Sequence, residues 1–503
     1  MNVFTTMYRK IREVIHRLIP YRSIEQVERA ESSLSPEMGT ALEKWYQMYL
    51  DNPDWADGQT VKSMNLPASL CSELARQVTL ELKVNISGKN ADGSSKDDNG
   101  DKITNPRSEY LAAEFEKAQA VLRGKLEQAL AAGGMVVKPY PNVDDGHIYF
   151  DWTMDWSLYP LAFDDDNGLC DVVIPDTFVE GKTYYTRLER HQIKGNDVHI
   201  TQRAFKSNNG QSIGTEVPLT AVDRWASLQP ESDVKDTDGG LFGWFKVASA
   251  NNVDIDSPMG VAMFAKAVNT IKEADIQYSR LLWEYEGSEL AIDVDPTILR
   301  PKKTLDANGN TIMETPKLNQ RLFRGVDADK GDRDLYEVFS PNIRDANLIN
   351  GLNRLLMRIE DLCGISRGTL SEPQNEAKTA TELKILQQRS YATVHDNQKA
   401  LEHCLRDVVN AMDKYATLYN LAPEGEYDIS FEWDDSIITD TSQQMQDRMM
   451  LFNAGLVSKK EMRMWYLGET DAQASAALEA MTVEQIANME ALMPLQNPGV
   501  PAP

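Results

Sequence analysis

A serine between glycines, Gly364-Ile-Ser366-Arg-Gly368, matches the G-x-S-x-G pattern of hydrolase nucleophile elbows. That chemistry needs a strand running into a sharp turn, so that the hydroxyl stands above a sheet. Here the residues up to Leu362 repeat at helical spacing, which predicts a helix stop at Gly364 and a loop after it. Two acidic strings, Asp164-Asp-Asp-Asn-Gly168 and Asp327-Ala-Asp-Lys-Gly331, begin like calcium loops, yet neither has the bidentate glutamate at the twelfth position, leaving at most a weak surface cation site. Glu432, Asp434 and Asp435 could hold a divalent metal, but they follow an alternating pattern with Ile429, Phe431 and Trp433 on one face, which predicts outward carboxylates on a strand. His191 and His199 have no partners at helical or zinc-finger spacing. There is no Walker A string to grip ATP phosphates.

One DNA-reading pattern is present. Around Ala454-Gly455-Leu456-Val457 two short helices are predicted, the second carrying Lys459, Lys460 and Arg463 in the manner of a helix-turn-helix. The same helix carries Met462, Met464, Trp465, Tyr466 and Leu467, too apolar a surface for a helix lying in a major groove.

The elements that would position these residues are set by length and patterning. The chain has 503 residues, 42% of them hydrophobic, and 77 acids against 52 bases give a formal net charge of -25. That length predicts about three globular units. No apolar run approaches the ~18–20 residues of a membrane span, and the mean hydropathy is -0.45. Cys71, Cys170, Cys363 and Cys404 are widely spaced and are expected to be reduced, buried thiols of a cytosolic protein. Residues 1–21 mix Arg9, Lys10, Arg12 and Arg17 with apolar positions; they read not as a signal peptide but as a basic amphipathic helix that could lie on a membrane or a partner, a partner-facing or disordered arm being the preferred reading.

Helices are expected at 36–50, 67–80 and 107–132, the last stopping at Gly133-Gly134, with a polar insert from Gly88 to Asp101. From Met135 to Lys206 the period changes to two, with strands at 135–140, 147–150, 176–179, 183–187 and 198–201, an antiparallel sheet. Its stretch from Asn142 to Asp171 holds eight Asp and no Lys or Arg, which predicts a solvated surface. Val261, Phe264, Val268, Ile271, Tyr278, Leu282 and Tyr285 then take helical spacing, interrupted only by Asp275. Leu348, Leu352, Leu355, Ile359 and Leu362 do the same, and between the two helices lies a strand-like insert, 288–340, with a hairpin turn at Asn308-Gly309. A third helix, with a capping-box pattern Thr379-x-x-Glu382, keeps heptad-like positions from Tyr391 to Tyr419. At roughly 60 Å it must lie across several elements or subunits. A strand at 427–433 and short helices follow, two of them opening at Ser458-x-x-Glu461 and Thr482-x-x-Gln485, before a Pro-rich tail, 494–503, that reads as disordered.

In that order, three strings carry a resemblance: Gly181-Lys-Thr-Tyr-Tyr-Thr-Arg-Leu-Glu-Arg-His191; Asn251-Asn-Val-Asp-Ile-Asp-Ser-Pro-Met-Gly260; and Cys363-Gly-Ile-Ser-Arg-Gly-Thr-Leu370 followed by Lys378-Thr-Ala-Thr-Glu-Leu383. Over about residues 36–490 the sequence resembles the portal proteins of tailed bacteriophages. The resemblance implies an α+β, mainly helical fold with wing, stem, clip and crown, assembled as a ring, a dodecamer in the family, at one capsid vertex of the virion, made in the host cytoplasm. It divides the chain into an N-terminal basic arm (1–35), a wing (36–257), a first stem helix (258–286), a clip (287–340), a second stem helix (341–363), a tunnel loop (364–378), a long wing helix and strand (379–440), a crown (441–493) and a tail (494–503).

The resemblance also implies no enzyme activity, no cofactor and no metal. Double-stranded DNA would pass non-specifically through the channel in packaging and ejection, and partners would be the terminase, the head–tail connector, the major capsid protein and a scaffold, with no membrane. Arg367, Ser371, Asn375 and Lys378 would face DNA. Val261, Phe264, Val268, Ile271, Leu352, Leu355 and Ile359 would pack stem against stem between subunits. In the clip, Ile298 to Arg324 carries six Lys/Arg against two acids, so Arg300, Lys302, Lys303, Lys317, Arg321 and Arg324 are expected to bind an acidic partner surface. The readings left beside this one are a metal-dependent or serine hydrolase and a helix-turn-helix DNA-binding regulator.

Overall fold

Helix is 46% and strand 24% of the protein in a computed structural model, a mixed α+β fold in which helix dominates. The structure describes residues 21–80, 82–89, 95, 102–208, 212–237, 239–289, 291–294, 302–305, 311–314, 323–325, 336–339, 342–372, 380–433, 441–467 and 473–481. The chain divides into two units, one of residues 1–79 and 116–419, the other of residues 80–115 and 420–503.

The larger unit opens with α1 (Tyr21–Glu28), α2 (Pro36–Tyr49) and α3 (Leu66–Thr79). Helix α2 starts where Ser35 accepts the Met38 N–H at 3.3 Å, with Pro36 in its first turn. It buries Met38, Leu42, Trp45 and Tyr46, and the Tyr46 ring meets Trp156 edge-on at 5.1 Å. Two antiparallel sheets follow. One is ordered β10-β2-β3, from β2 (Gly134–Asn142), β3 (His147–Met154) and β10 (Gly243–Lys246). The other is ordered β4-β5-β6-β7-β8, from β4 (Tyr159–Phe163), β5 (Leu169–Glu180), β6 (Thr183–Lys194), β7 (Asp197–Ser207) and β8 (Thr215–Val217), with β9 (Glu231–Val234) also pairing β7. Val136 of the first sheet packs with Leu169, Val172 and Ile174 of the second, and with Phe242.

The other face of the larger sheet, with Tyr159, Leu161, Val173, Leu188 and Phe205, is covered by Ile24 of α1. Arg190 and Arg203 donate to the carbonyls of Glu28 and Val27 at the end of that helix, placing positive charge at its negative pole. Of the expected arm 1–35, residues 21–35 hold Ile24, Val27 and Ala30 against the sheet, while 1–20 lie outside the described residues. With both faces covered, β5 buries successive residues Val172, Val173 and Ile174, which is why its run does not alternate strictly.

The helix α7 (Ala380–Leu418) crosses this unit and packs on β2, β10 and α3. It buries Leu401, Cys404, Leu405, Val408, Val409 and Met412. Gly243 permits the approach, since a Cβ there would lie 2.1 Å from the Cys404 carbonyl oxygen. The long helix is thus spent across several elements of its own chain.

The acidic stretch 142–171 is only partly solvated. Asp164 accepts the N–H groups of Asp166 and Gly168 in the β4–β5 turn, but Asp171 forms a two-bond pair with Arg190 at 2.7 and 2.9 Å, and Asp155 is fully buried. Cys71, Cys363 and Cys404 are buried free thiols, and Cys170 is half-buried.

In the smaller unit, β1 (Lys83–Gly88) pairs antiparallel with β16 (Tyr427–Glu432). Asn105 and Ser108 exchange backbone-to-side-chain bonds to open α4 (Pro106–Ala132), whose first residues belong to this unit. Helices α8 (Thr441–Asn453) and α9 (Lys459–Leu467) follow, and residues 473–481 are helical. Ser458 and Glu461 form the expected capping box at the start of α9, and Gly455, at φ +71°, ends α8. The patterns at Thr379 and Thr482 lie outside the described residues. Among the described residues, no helix is long and apolar enough to cross a membrane.

Candidate DNA-channel and docking elements

The first stem-like helix, α5 (Val268–Gly287), begins later than helical spacing from Val261 predicts. The backbone before it is engaged elsewhere: Met263 N–H donates to Leu130 O at the end of α4, at 2.9 Å. The second, α6 (Asp345–Cys363), agrees with the expected span. The two run antiparallel, because Glu284 near the end of α5 grips Arg344 at the start of α6, while Gln277 donates to Leu348 O at 3.2 Å. The Glu284 carboxylate takes the Arg344 Nε at 3.0 Å, its Nη2 at 2.7 Å and its backbone N–H at 3.1 Å; these bonds hold the Glu284 pKa below the usual carboxylate range. Asp275, which interrupts the apolar spacing of α5, is buried and bonded to Trp55 and Met64.

Of the residues expected to pack stem against stem between subunits, Val261, Phe264, Ile271, Leu352 and Ile359 are buried within the chain itself, and Val268 and Leu355 are half-buried. The large apolar side chains left exposed here are Trp283, Tyr285 and Ile343.

Between the two helices come β11 (Ala291–Val294), β12 (Lys302–Leu305), β13 (Thr311–Glu314), β14 (Phe323–Gly325) and β15 (Tyr336–Phe339). Strand β11 pairs parallel with β14 and antiparallel with β15, and β12 with β13 makes the hairpin expected around Asn308-Gly309. Lys302 and Lys303 open β12 and Arg324 is central in β14; Arg300, Lys317 and Arg321, like Asp327-Ala-Asp-Lys-Gly331, lie outside the described residues.

Helix α6 ends at Gly364, in the left-handed region at φ +70°. A Cβ there would meet Thr393 Oγ1 of α7 at 2.5 Å, so the turn needs glycine for space as well as for conformation. The helix that precedes Ser366 excludes the strand-to-turn geometry of a nucleophile elbow. The loop then folds back onto two neighbouring carboxylates. Glu360, fully buried, accepts the N–H groups of Leu370 at 2.6 Å and Ser371 at 2.9 Å, and the Ser371 hydroxyl at 2.7 Å. Asp361 receives Arg367 through two bonds, at 3.0 and 2.7 Å. Of the expected DNA-facing residues, Ser371 is therefore an internal anchor, Arg367 is exposed but paired, and Asn375 and Lys378 lie outside the described residues.

Sequence reasoning missed Glu360 and Asp361. The available signal was two acids in the last turn of a helix, against the helix dipole, which calls for a donor to meet them.

The other candidates have structural partners. His191 is buried with Nε2 2.8 Å from Glu189, whose other oxygen lies 2.6 Å from Lys138. Burial lowers the His191 pKa despite that carboxylate. His199 is bonded to Asp233 at 2.6 Å. Among the described residues no group of His, Cys, Asp and Glu is arranged to hold a metal; Asp434 and Asp435 lie outside them.

A family described as "Phage portal protein, SPP1 Gp6-like" matches residues 83–491, well over half of the chain. The chain belongs to this phage portal family. No curated protein matches it. The portal family is structural and non-enzymatic, a component of the virion capsid, so membership replaces both the hydrolase and the DNA-binding regulator readings. The family match runs through the paired helices, the strand insert, the carboxylate-anchored loop, α7 and α8–α9 of this portal chain.

Proposed function

We propose that this chain assembles into a ring, a dodecamer, at one capsid vertex, and that the ring is the channel through which double-stranded DNA is packaged and ejected. The observation that carries the reading is the portal family match from 83 to 491, which takes in an antiparallel helix pair, its strand insert and the loop into α7. In this reading α5 and α6 are the stem, the strands from 291 to 339 the clip, the segment after Gly364 the tunnel loop, and residues 441–493 the crown. The clip receives the terminase during packaging and the head–tail connector afterwards, and wing and crown meet the major capsid protein and the scaffold.

Charge supports a passage role over tight binding. A formal -25 per subunit makes a steeply acidic ring, whereas grip on DNA grows with every phosphate that Lys or Arg neutralises. The test is the mass of the purified chain by light scattering, with negative-stain images of the same peak. A large species with a central hole is expected. A monomer that stays monomeric with coat and scaffold proteins present would overturn the proposal.

A further inference from the structure

The loop after α6 is fixed twice, by adjacent residues of the same helical turn. The Glu360 carboxylate collects Leu370 N–H, Ser371 N–H and the Ser371 hydroxyl, with a longer contact of 3.4 Å from Gly368 N–H. Ser371 Oγ in turn accepts the Gly368 N–H at 3.0 Å, and Asn353 Oδ1 accepts Glu372 N–H at 2.8 Å. These bonds turn the chain back towards α6. The turn carries Arg367, whose side chain is about half exposed, to Asp361, where two guanidinium N–H groups meet two carboxylate oxygens.

We infer that Glu360 and Asp361 withhold Arg367 from DNA: Glu360 positions the loop and Asp361 neutralises its guanidinium, so the base of the loop offers passing phosphates no uncompensated cation. The inference rests on the portal reading given above and adds a device to it. Arg367 is the single Lys or Arg between Gly364 and Glu372. In a ring, every copy repeats the pair at the same height, so releasing it adds one cation per subunit at one level of the channel. A free guanidinium there would hold the backbone of either strand without regard to sequence.

The experiment uses purified full-length rings and a labelled linear DNA duplex, with retention measured between about 50 and 200 mM salt. Asp361→Asn should raise retention and steepen the slope of log affinity against log salt by about 0.9 for each phosphate newly engaged. Glu360→Gln should move both in the same direction, because it removes the acceptor of the Ser371 hydroxyl, and the amide exchange of Leu370 and Ser371 should accelerate. Adding Arg367→Ala to either variant should return retention and slope to those of Arg367→Ala alone, which a general loosening of the loop would not do. Rings whose retention and salt slope are unchanged by Asp361→Asn would overturn this inference and leave the portal reading standing. Failure of the unmutated chain to form rings, seen by negative stain, would instead remove the portal reading on which it rests.

Discussion

The indole N–H of Trp55 donates to the Asp275 carboxylate at 2.9 Å, and the Met64 N–H reaches its other oxygen at 2.9 Å. Ser279, one turn along α5, accepts Lys62 N–H at 2.8 Å, so residues 55–64 are strapped along the helix. Burial raises the Asp275 pKa against these bonds, yet both donors need the oxygens that they meet.

Replacing Asp275 by Ala should leave two half-buried donors, the Trp55 and Met64 N–H groups, without this acceptor and cost on the order of 1–3 kcal/mol. The fluorescence of Trp55 should shift to the red as the strap detaches. A denaturant titration followed at several wavelengths measures both, and an unchanged midpoint would contradict the role given to this carboxylate.

Asp155 should make the stability of the folded protein fall as the pH rises from acid towards 8. It is fully buried, neither of its oxygens has a hydrogen bond of ordinary geometry, and burial pushes its pKa up to about 8 against the pull of Trp244 and Lys246. Its pKa is raised on folding, so the folded state holds the proton more tightly. The contribution is complete below the unfolded value near 4 and is lost as pH climbs to 8, by roughly 1.4 kcal/mol per pH unit in that window. The melting temperature of Asp155→Asn should be flatter than that of the parent from pH 5 to about pH 8. Parallel curves would show that the group is not the source.

Gly243→Ala should weaken the seat of α7. The new methyl group would collide with the backbone carbonyl of Cys404 and the side chain of Val408. A loss of about 1–3 kcal/mol or more is expected. Thermal unfolding followed by circular dichroism measures it.

Reversing Arg300, Lys302 and Lys303 to Glu should impair docking of the terminase or connector, whose contacting surface is expected to be acidic, while rings still form. Co-sedimentation of the variant ring with each partner reads the first effect, and negative stain reads the second. Normal docking would remove the partner-binding role from these three residues.

The long helices, the antiparallel character of the sheets and the capping box at Ser458 were legible because each rests on local spacing or on residues three apart. Strands β1 and β10 were not legible, being six and four residues long and completed by partners far away, as Lys83 is by Glu432. Stem residues such as Phe264 and Ile359 showed their apolar nature but not their partner, since heptad-like spacing suits an intramolecular neighbour as well as another subunit. Asp155 and Asp171 were lost in an acidic run whose composition says solvent, while the three-dimensional neighbours Arg190 and Trp244 say otherwise. Glu360 and Asp361 carry no mark of their role in sequence, because phosphate calls for cations and the loop donors that these two anions hold lie six to eleven residues further on.

The seating of α7 on β2 and β10 also sets an order of events during synthesis. The sheet is complete in sequence by Lys246, but the helix that covers Gly243 and Phe245 carries its main contacts from Leu401 to Tyr415. At about 5–20 residues per second, a ribosome needs roughly ten to thirty seconds to make the intervening chain. For that interval the nascent sheet has an uncovered apolar face, the condition under which chains aggregate or bind chaperones. Closure of that face has to wait for a segment more than 150 residues downstream to leave the ribosome.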